Sequence, residues 1–167
     1  KKRLNYFEVN FRQDLGVTNK GLSVLCLGAR DGVEVEALRS LGYNSIGIDI
    51  AYPKQSKYVH YGDFHNIPYP NLIFDYIYMN VFDHVLKPKD VLLEIKRVLK
   101  KHGTFILDLP AGNSERADSM LHSWESIAWD NRDTVLSLVQ DEGYKLISQR
   151  KTKGKETINR YIFHINK

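Results

Sequence analysis

The apolar run Leu22–Leu27 stops at Gly28, and a second glycine, Gly32, follows in the same loop, "LGARDG". A strand made almost wholly of apolar residues has to be covered on both faces, which is the condition of a parallel sheet sandwiched between helices. Val33–Leu41 follows at helical spacing and is stopped by Gly42. A doubly covered strand that breaks through glycines into a helix confines the chain to an α/β architecture.

The same alternation continues. Ser45–Ile50, Ser56–Tyr61 and Phe74–Met79 read as strands. Pro88–Lys101 is the clearest helix, with Val91, Leu92, Ile95, Val98 and Leu99 on one face, and Gly103 behind it. Thr104–Leu109 is a fifth strand. Ala111–Asn131 has no clean period. Thr134–Gln140 reads as helix, and Tyr144–Arg150 and Thr157–Asn166 as two strands joined by "KTKGKE". Seven strands result, the first five parallel through right-handed crossovers and the last two an antiparallel hairpin. That hairpin sets the chain apart from dinucleotide oxidoreductases, whose sheets continue in parallel units.

The 167 residues suit a single domain spanning 1–167. The chain begins at Lys1 without a methionine, as would one piece of a longer, multidomain protein. No apolar run is long enough to cross a bilayer, and the first residues lack a signal-peptide core. With Cys26 the single cysteine, no internal disulfide can form. A reducing, cytoplasmic setting is expected. The net charge is +4, and Lys145, Arg150, Lys151, Lys153, Lys155 and Arg160 crowd the last segment. They read as the solvated rim of a hairpin or as a polyanion surface.

Ligands of such sheets bind beyond the carboxyl ends of the strands, where strand order reverses. Gly28 and Gly32 permit close backbone approach, and the helix behind them offers free N–H groups. Asp49, about twenty residues further on, ends the second strand, where an acid accepts the two ribose hydroxyls of an adenosine. A turn or cap residue is the lesser alternative for Asp49. Asp63 follows the third strand, placed to accept from an adenine amine or to cap its loop. Phe64 or Ile50 would pack on the ring.

Together these segments resemble the class I S-adenosylmethionine (SAM)-dependent methyltransferases over nearly the whole chain. Gly28-x-Arg30-x-Gly32 stands at the family's glycine loop, "GIDI" at its ribose acid and "GDFHNIPYP" at its adenine-side loop. "FDYIYMNVFDHV" and "LLEIKRVLKKHGTFILDLP" match its fourth strand, next helix and fifth strand. The resemblance implies a Rossmann-like, seven-stranded, mostly parallel sheet with helices on both faces. It implies SAM as cofactor, held by Gly28, Ala29, Arg30, Gly32, Asp49, Ile50, Asp63, Phe64 and Asn80. Two positions depart from the pattern. Cys26 stands where the family often has an acid, and Arg30 replaces the middle glycine. The Arg30 guanidinium would suit the methionine carboxylate.

Methyl transfer to a hydroxyl needs a base near the methyl group. Asp83 and His84 follow the fourth strand and are the catalytic candidates, His84 as base. A helix-capping pair is the plainer reading. Asn80-x-x-Asp83-His84 also resembles the Glu-x-x-Glu-His set with which some relatives hold a divalent metal. Asp83 and His84 could then bind magnesium, manganese or zinc, with His122 as a further ligand. Trp124 and Trp129 follow the fifth strand, on the side that faces the acceptor in this family, and with His122 are the substrate-binding candidates. Core filling is the default reading for both tryptophans.

The pairing of "LGARDGVEVEAL" with "YGDFHNI" and "VFDHV" looks like small methyltransferase domains found with glycosyltransferases in surface-polysaccharide systems. The expectation is therefore O-methylation of a glycan hydroxyl, with a fused or associated glycosyltransferase as partner and no membrane. An RNA or small-metabolite acceptor, or a SAM-binding interaction domain without catalysis, are the alternatives.

Overall fold

The computed structural model describes residues 1–51, 56–115 and 129–165. The elements in chain order are α1 (Lys2–Leu15), β1 (Ser23–Leu27), α2 (Val33–Ser40), β2 (Asn44–Asp49), β3 (Val59–Tyr61) and β4 (Phe74–Met79). They continue with α3 (Pro88–Val98), β5 (Leu99–Pro110), α4 (Arg132–Asp141), β6 (Tyr144–Thr152) and β7 (Lys155–Ile165). The strands make one seven-stranded sheet in the order β3-β2-β1-β4-β5-β7-β6. β1 to β5 pair in parallel, while β7 runs antiparallel to both β5 and β6. This is the expected Rossmann-like sheet with its terminal hairpin.

Side chains on a strand alternate between faces, and β1 shows why its sequence is apolar throughout. Val24 and Cys26 pack with Phe7 and Phe11 of α1 and Val35 and Leu38 of α2. Leu25 and Leu27 pack on the other face with Val91, Ile95 and Val98 of α3 and Val139 of α4. All four β1 residues are fully buried, each worth about 1.5–3 kcal/mol where the side chain is large. Helices thus cover both faces.

Three differences from expectation have physical causes. α1 was not anticipated, because its stretch is rich in charge. Its signal is the spacing of Leu4, Phe7, Phe11 and Leu15, of which Phe7 and Phe11 are buried. α3 ends at Val98 rather than Lys101, because Leu99 turns extended and pairs with Phe74 of β4. The pairing resumes only at Thr104, after a bulge in which His102 takes φ 63°. β3 starts at Val59 rather than Ser56, since the Ser56 hydroxyl accepts from the Val59 N–H at 3.0 Å and makes a turn of the segment before it.

A buried ionic network docks α1 onto the carboxyl ends of β4 and β5. Arg160 of β7 is fully buried. Its Nε and Nη2 donate to the two Asp108 oxygens at 2.7 and 2.8 Å, and its Nη1 to Asp14 of α1 at 2.8 Å. Arg150 of β6 adds a second fork to Asp14, at 2.7 and 2.6 Å. The Tyr78 hydroxyl donates to Asp108 Oδ2 at 2.7 Å, and the Arg160 guanidinium lies 4.7 Å from the Phe11 ring centre. Two members of the basic cluster at the chain's end are therefore internal struts.

Candidate active site

The glycine loop sits where the strand order reverses, between β1 and β4. Gly28 has φ 67°, and a Cβ there would lie 2.3 Å from Cγ2 of Val81, just past β4. Only glycine fits between the two strand ends. The Gly28 and Ala29 N–H groups donate to the Ile48 carbonyl at 2.9 and 3.1 Å. Ala29 is turned into the core against Gly47, where an added Cβ would approach the Ala29 Cβ to 2.4 Å. Ala29 thus shapes the loop from behind. Gly32 caps α2 and lines a shallow cleft on the far side of the loop.

A cleft of about 420 Å³ opens in front of the loop, lined by Gly28, Arg30, Asp49, Ile50, Phe64, Val81, His84 and Leu86. Asp49 closes one wall. Its Oδ2 accepts from the Arg30 N–H at 2.8 Å and its Oδ1 from the Ala51 N–H at 2.7 Å. Each oxygen keeps a lone pair, so the carboxylate both fixes the loop and remains able to accept from a diol. Ile50 is exposed and Phe64 half-buried, two apolar walls at one height. Asp63 is absent from this lining. Its Oδ1 accepts from the His65 N–H and pairs with His65 Nδ1, both at 2.8 Å. Burial pushes the Asp63 carboxyl up, but these His65 contacts outweigh it and hold the group below the usual carboxylate range. It is the cap of its own loop, with Oδ2 left over.

Arg30, in the left-handed region at φ 47°, forms the partition between this cleft and a second one. The inner cleft, about 320 Å³, is lined by Arg3, Tyr6, Tyr78, Asn80, Asp108 and Ile158 among others. Asn80 therefore faces the inner cleft with Arg30. Arg3 of α1 reaches across to the loop, where its Nη1 donates to both Asp31 oxygens at 2.7 and 2.8 Å. Its Nη2 lies 3.7 Å from Glu34, in the first turn of α2. Glu34 was missed in the sequence. It is fully buried, and neither oxygen has a hydrogen-bond partner among the described residues. Burial pushes its pKa up to about 7, opposed by its own backbone N–H and by Arg3. Nothing but its place two residues after Gly32 distinguishes it in the sequence.

Phe82–His84 forms one 3-10 turn after β4 and presents His84 to the outer cleft. The His84 ring is 43% exposed, and its Nε2 lies 3.8 Å from Asp83 Oδ2. Among the described residues, no three His, Cys, Asp or Glu side chains come together as a metal site would require. His122 and Trp124 lie outside the described residues. Trp129 takes the core-filling role, its default reading, and not the acceptor face. It is buried in the core, its ring edge-on to Phe82 at 6.4 Å, and it lines neither cleft. A large ring beside α4 contributes more as core than as a contact surface.

A sheet of this order, with a glycine loop and a ribose-type acid at its switch point, is the fold of the class I SAM-dependent methyltransferases. Residues 5–150 match the family described as a methyltransferase domain, and the chain belongs to that family. Solved structures agree on the fold. A SAM-dependent methyltransferase from Aquifex aeolicus superposes with a TM-score of 0.74 at 20% identity, covering 99% of this chain and 93% of the other. A geranyl diphosphate C-methyltransferase from Streptomyces coelicolor gives 0.72 at 14% identity, covering 99% and 82%. A glycopeptide N-methyltransferase gives 0.74 at 12% identity, covering 95% and 92%. No curated protein matches the sequence. No helix of the described residues is long and apolar enough to cross a membrane.

Proposed function

We propose that this methyltransferase binds SAM in the outer cleft, with its methionine end toward Arg30, and methylates a hydroxyl oxygen of a glycan. The residues suit that cofactor. Gly28 lines the cleft with bare backbone beside Val81, Asp49 keeps lone pairs for a ribose, and Ile50 and Phe64 offer apolar surface to an adenine. Arg30 supplies a cation for the carboxylate in a loop that otherwise lacks one. When bound, SAM supplies an activated methyl group whose C–S bond breaks, the pair returning to sulfur, as the acceptor oxygen bonds to carbon.

The observation that carries the acceptor class is His84 on the wall of that same cleft. A carbon or nitrogen nucleophile, as in the two neighbours named for such acceptors, shows that the fold alone does not set the acceptor. A hydroxyl is a poor nucleophile while protonated, and His84 is placed to take its proton on a ring nitrogen. The Asp83 carboxylate lies 3.8 Å from the His84 Nε2. The glycan is supported by the resemblance of the loop and the "VFDHV" turn to domains that work beside glycosyltransferases. A fused or associated glycosyltransferase would deliver that acceptor.

His84→Ala is expected to lower kcat by roughly 10²–10⁴-fold, with S-adenosylhomocysteine affinity within a few-fold of the parent. Turnover near the parent level on a saccharide acceptor would remove the base from the mechanism. Among the described residues only Asp83 and His84 stand as ligands, where a metal site needs three or more, and no step is assigned to a metal. Full activity in EDTA is expected, and loss restored by magnesium or manganese would replace the base with a metal site.

A further inference from the structure

A third cleft, of about 550 Å³, lies between α1 and the β6–β7 turn, lined by Lys2, Arg3, Asn5, Tyr6, Val9, Lys153 and Gly154. Its size is that of a small-molecule site. Arg3 and Tyr6 also line the inner cleft, so these two side chains alone are shared walls between the groove and the space beside Asn80 and Arg30. Three of its lining residues are cationic and none is acidic. The Arg3 charge is largely answered by Asp31 and Glu34. Lys2 and Lys153 line the groove from separate elements, and neither has an ion-pair partner among the described residues.

The groove is built rather than incidental. Asn10 of α1, fully buried, accepts from the Lys153 N–H at 2.9 Å and donates to the Lys153 carbonyl at 3.1 Å. Both hydrogen-bonding edges of one backbone residue are held by one side chain, so the turn cannot drift from the helix without leaving buried polar atoms unpaired. A pocket whose walls are fixed beforehand loses less free energy on binding.

We propose that this groove holds the anionic group of the acceptor, a phosphate or a carboxylate on the saccharide, while its hydroxyl reaches past Arg3 and Tyr6, through the inner cleft and by the Arg30 partition, to the methyl group and His84 in the outer cleft. This rests on the saccharide reading given above and narrows it to an acidic saccharide. Charge complementarity selects the anion, and the apolar stretch at Tyr6 and Val9 suits the face of a sugar ring. Two unpaired lysines would neutralise about two phosphates, a small share of what a nucleic-acid surface presents.

The test titrates the isotope-labelled full chain with glucose 6-phosphate, glucuronic acid and glucose, following backbone amide resonances. Both acidic sugars, or one of them, are expected to move Asn5, Tyr6 and Gly154, with glucose leaving them unchanged. Which acid binds separates phosphate from carboxylate. Lys2→Gln with Lys153→Gln should weaken that binding roughly tenfold or more, while leaving the spectrum otherwise folded and S-adenosylhomocysteine affinity unchanged by calorimetry. Equal shifts from glucose, no shifts from either acid at millimolar concentration, or an unaffected double variant would overturn the proposal. So would inorganic phosphate matching glucose 6-phosphate in affinity, since the sugar would then contribute nothing. A short oligoribonucleotide that binds more tightly, with steep salt dependence, would replace the saccharide by RNA. Failure to bind S-adenosylhomocysteine would overturn the cofactor assignment instead, and the saccharide shifts would report on the groove by themselves.

Discussion

Two carboxyl groups are buried on the same face of the sheet, and the protein treats them in opposite ways. Under the hairpin, Asp108 meets a fork from Arg160 and a hydroxyl from Tyr78. Beside the glycine loop, Glu34 is as deeply buried, yet its nearest cation is 3.7 Å away and already committed to Asp31. A buried charge that is fully forked holds elements together, while one left unmatched is pushed toward neutrality. The hairpin side is thus built for rigidity. The loop side carries a stored cost at the edge of the proposed cofactor site.

The contrast breaks most sharply at Arg160. Arg160→Ala strands Asp108 in the interior and leaves Asp14 to Arg150 alone, and it is expected to cost about 3–5 kcal/mol in denaturant unfolding. If the network were ornamental, the loss would stay below about 1 kcal/mol, as for an exposed pair.

On the loop side the sign reverses. The Glu34 carboxyl titrates near its usual value of 4.5 when unfolded and is pushed up to about 7 when folded. Its folded pKa is raised, so stability present below the unfolded value is lost as pH rises through the folded one. At about 1.4 kcal/mol per pKa unit, roughly 3 kcal/mol disappears between about pH 4.5 and 7. Glu34→Gln should therefore stabilise the chain by up to roughly 3 kcal/mol at about pH 8 and change little at about pH 5. A parent whose stability is flat across that window would remove Glu34 from the account.

Asp49 stands between the two cases, half used by the loop and half open. Asp49→Ala should weaken S-adenosylhomocysteine binding by roughly 2–3 kcal/mol in calorimetry. Unchanged affinity would show that both oxygens serve the loop alone. The smallest effect belongs to Arg30. Arg30→Gly relieves a left-handed backbone worth about 1 kcal/mol, so melting should rise slightly while cofactor affinity falls. Affinity that stays constant would sink the proposed contact with the methionine carboxylate.

Much of this was legible beforehand. The β1 run is apolar because both faces are covered, and the glycine loop and Asp49 follow from strand ends. What could not be read is where charge goes. Arg150 and Arg160 look like surface residues by type, and only the approach of α1, anchored at the far end of the chain, turns them inward. Glu34 lies on a helix whose pattern allows an acid at that place. Whether it meets solvent depends on α1, whose aromatic spacing is hidden among charges. Trp129 shows the converse, a residue type suited to a binding face but placed in the core by α4.

Asp14 and Arg160 are 146 residues apart and share one hydrogen bond, and Asn10 clamps Lys153 from a similar distance. Synthesis runs from the amino end, so α1 leaves the ribosome long before the strand that holds it. Its buried acid waits without a partner while β1 to β5 assemble. Such long loop closure comes late in folding. The inner cleft, roofed by Arg3 and Tyr6, is thus complete only once the last strand has been made. A nascent chain that stalls before the hairpin would carry a glycine loop with no roof over it.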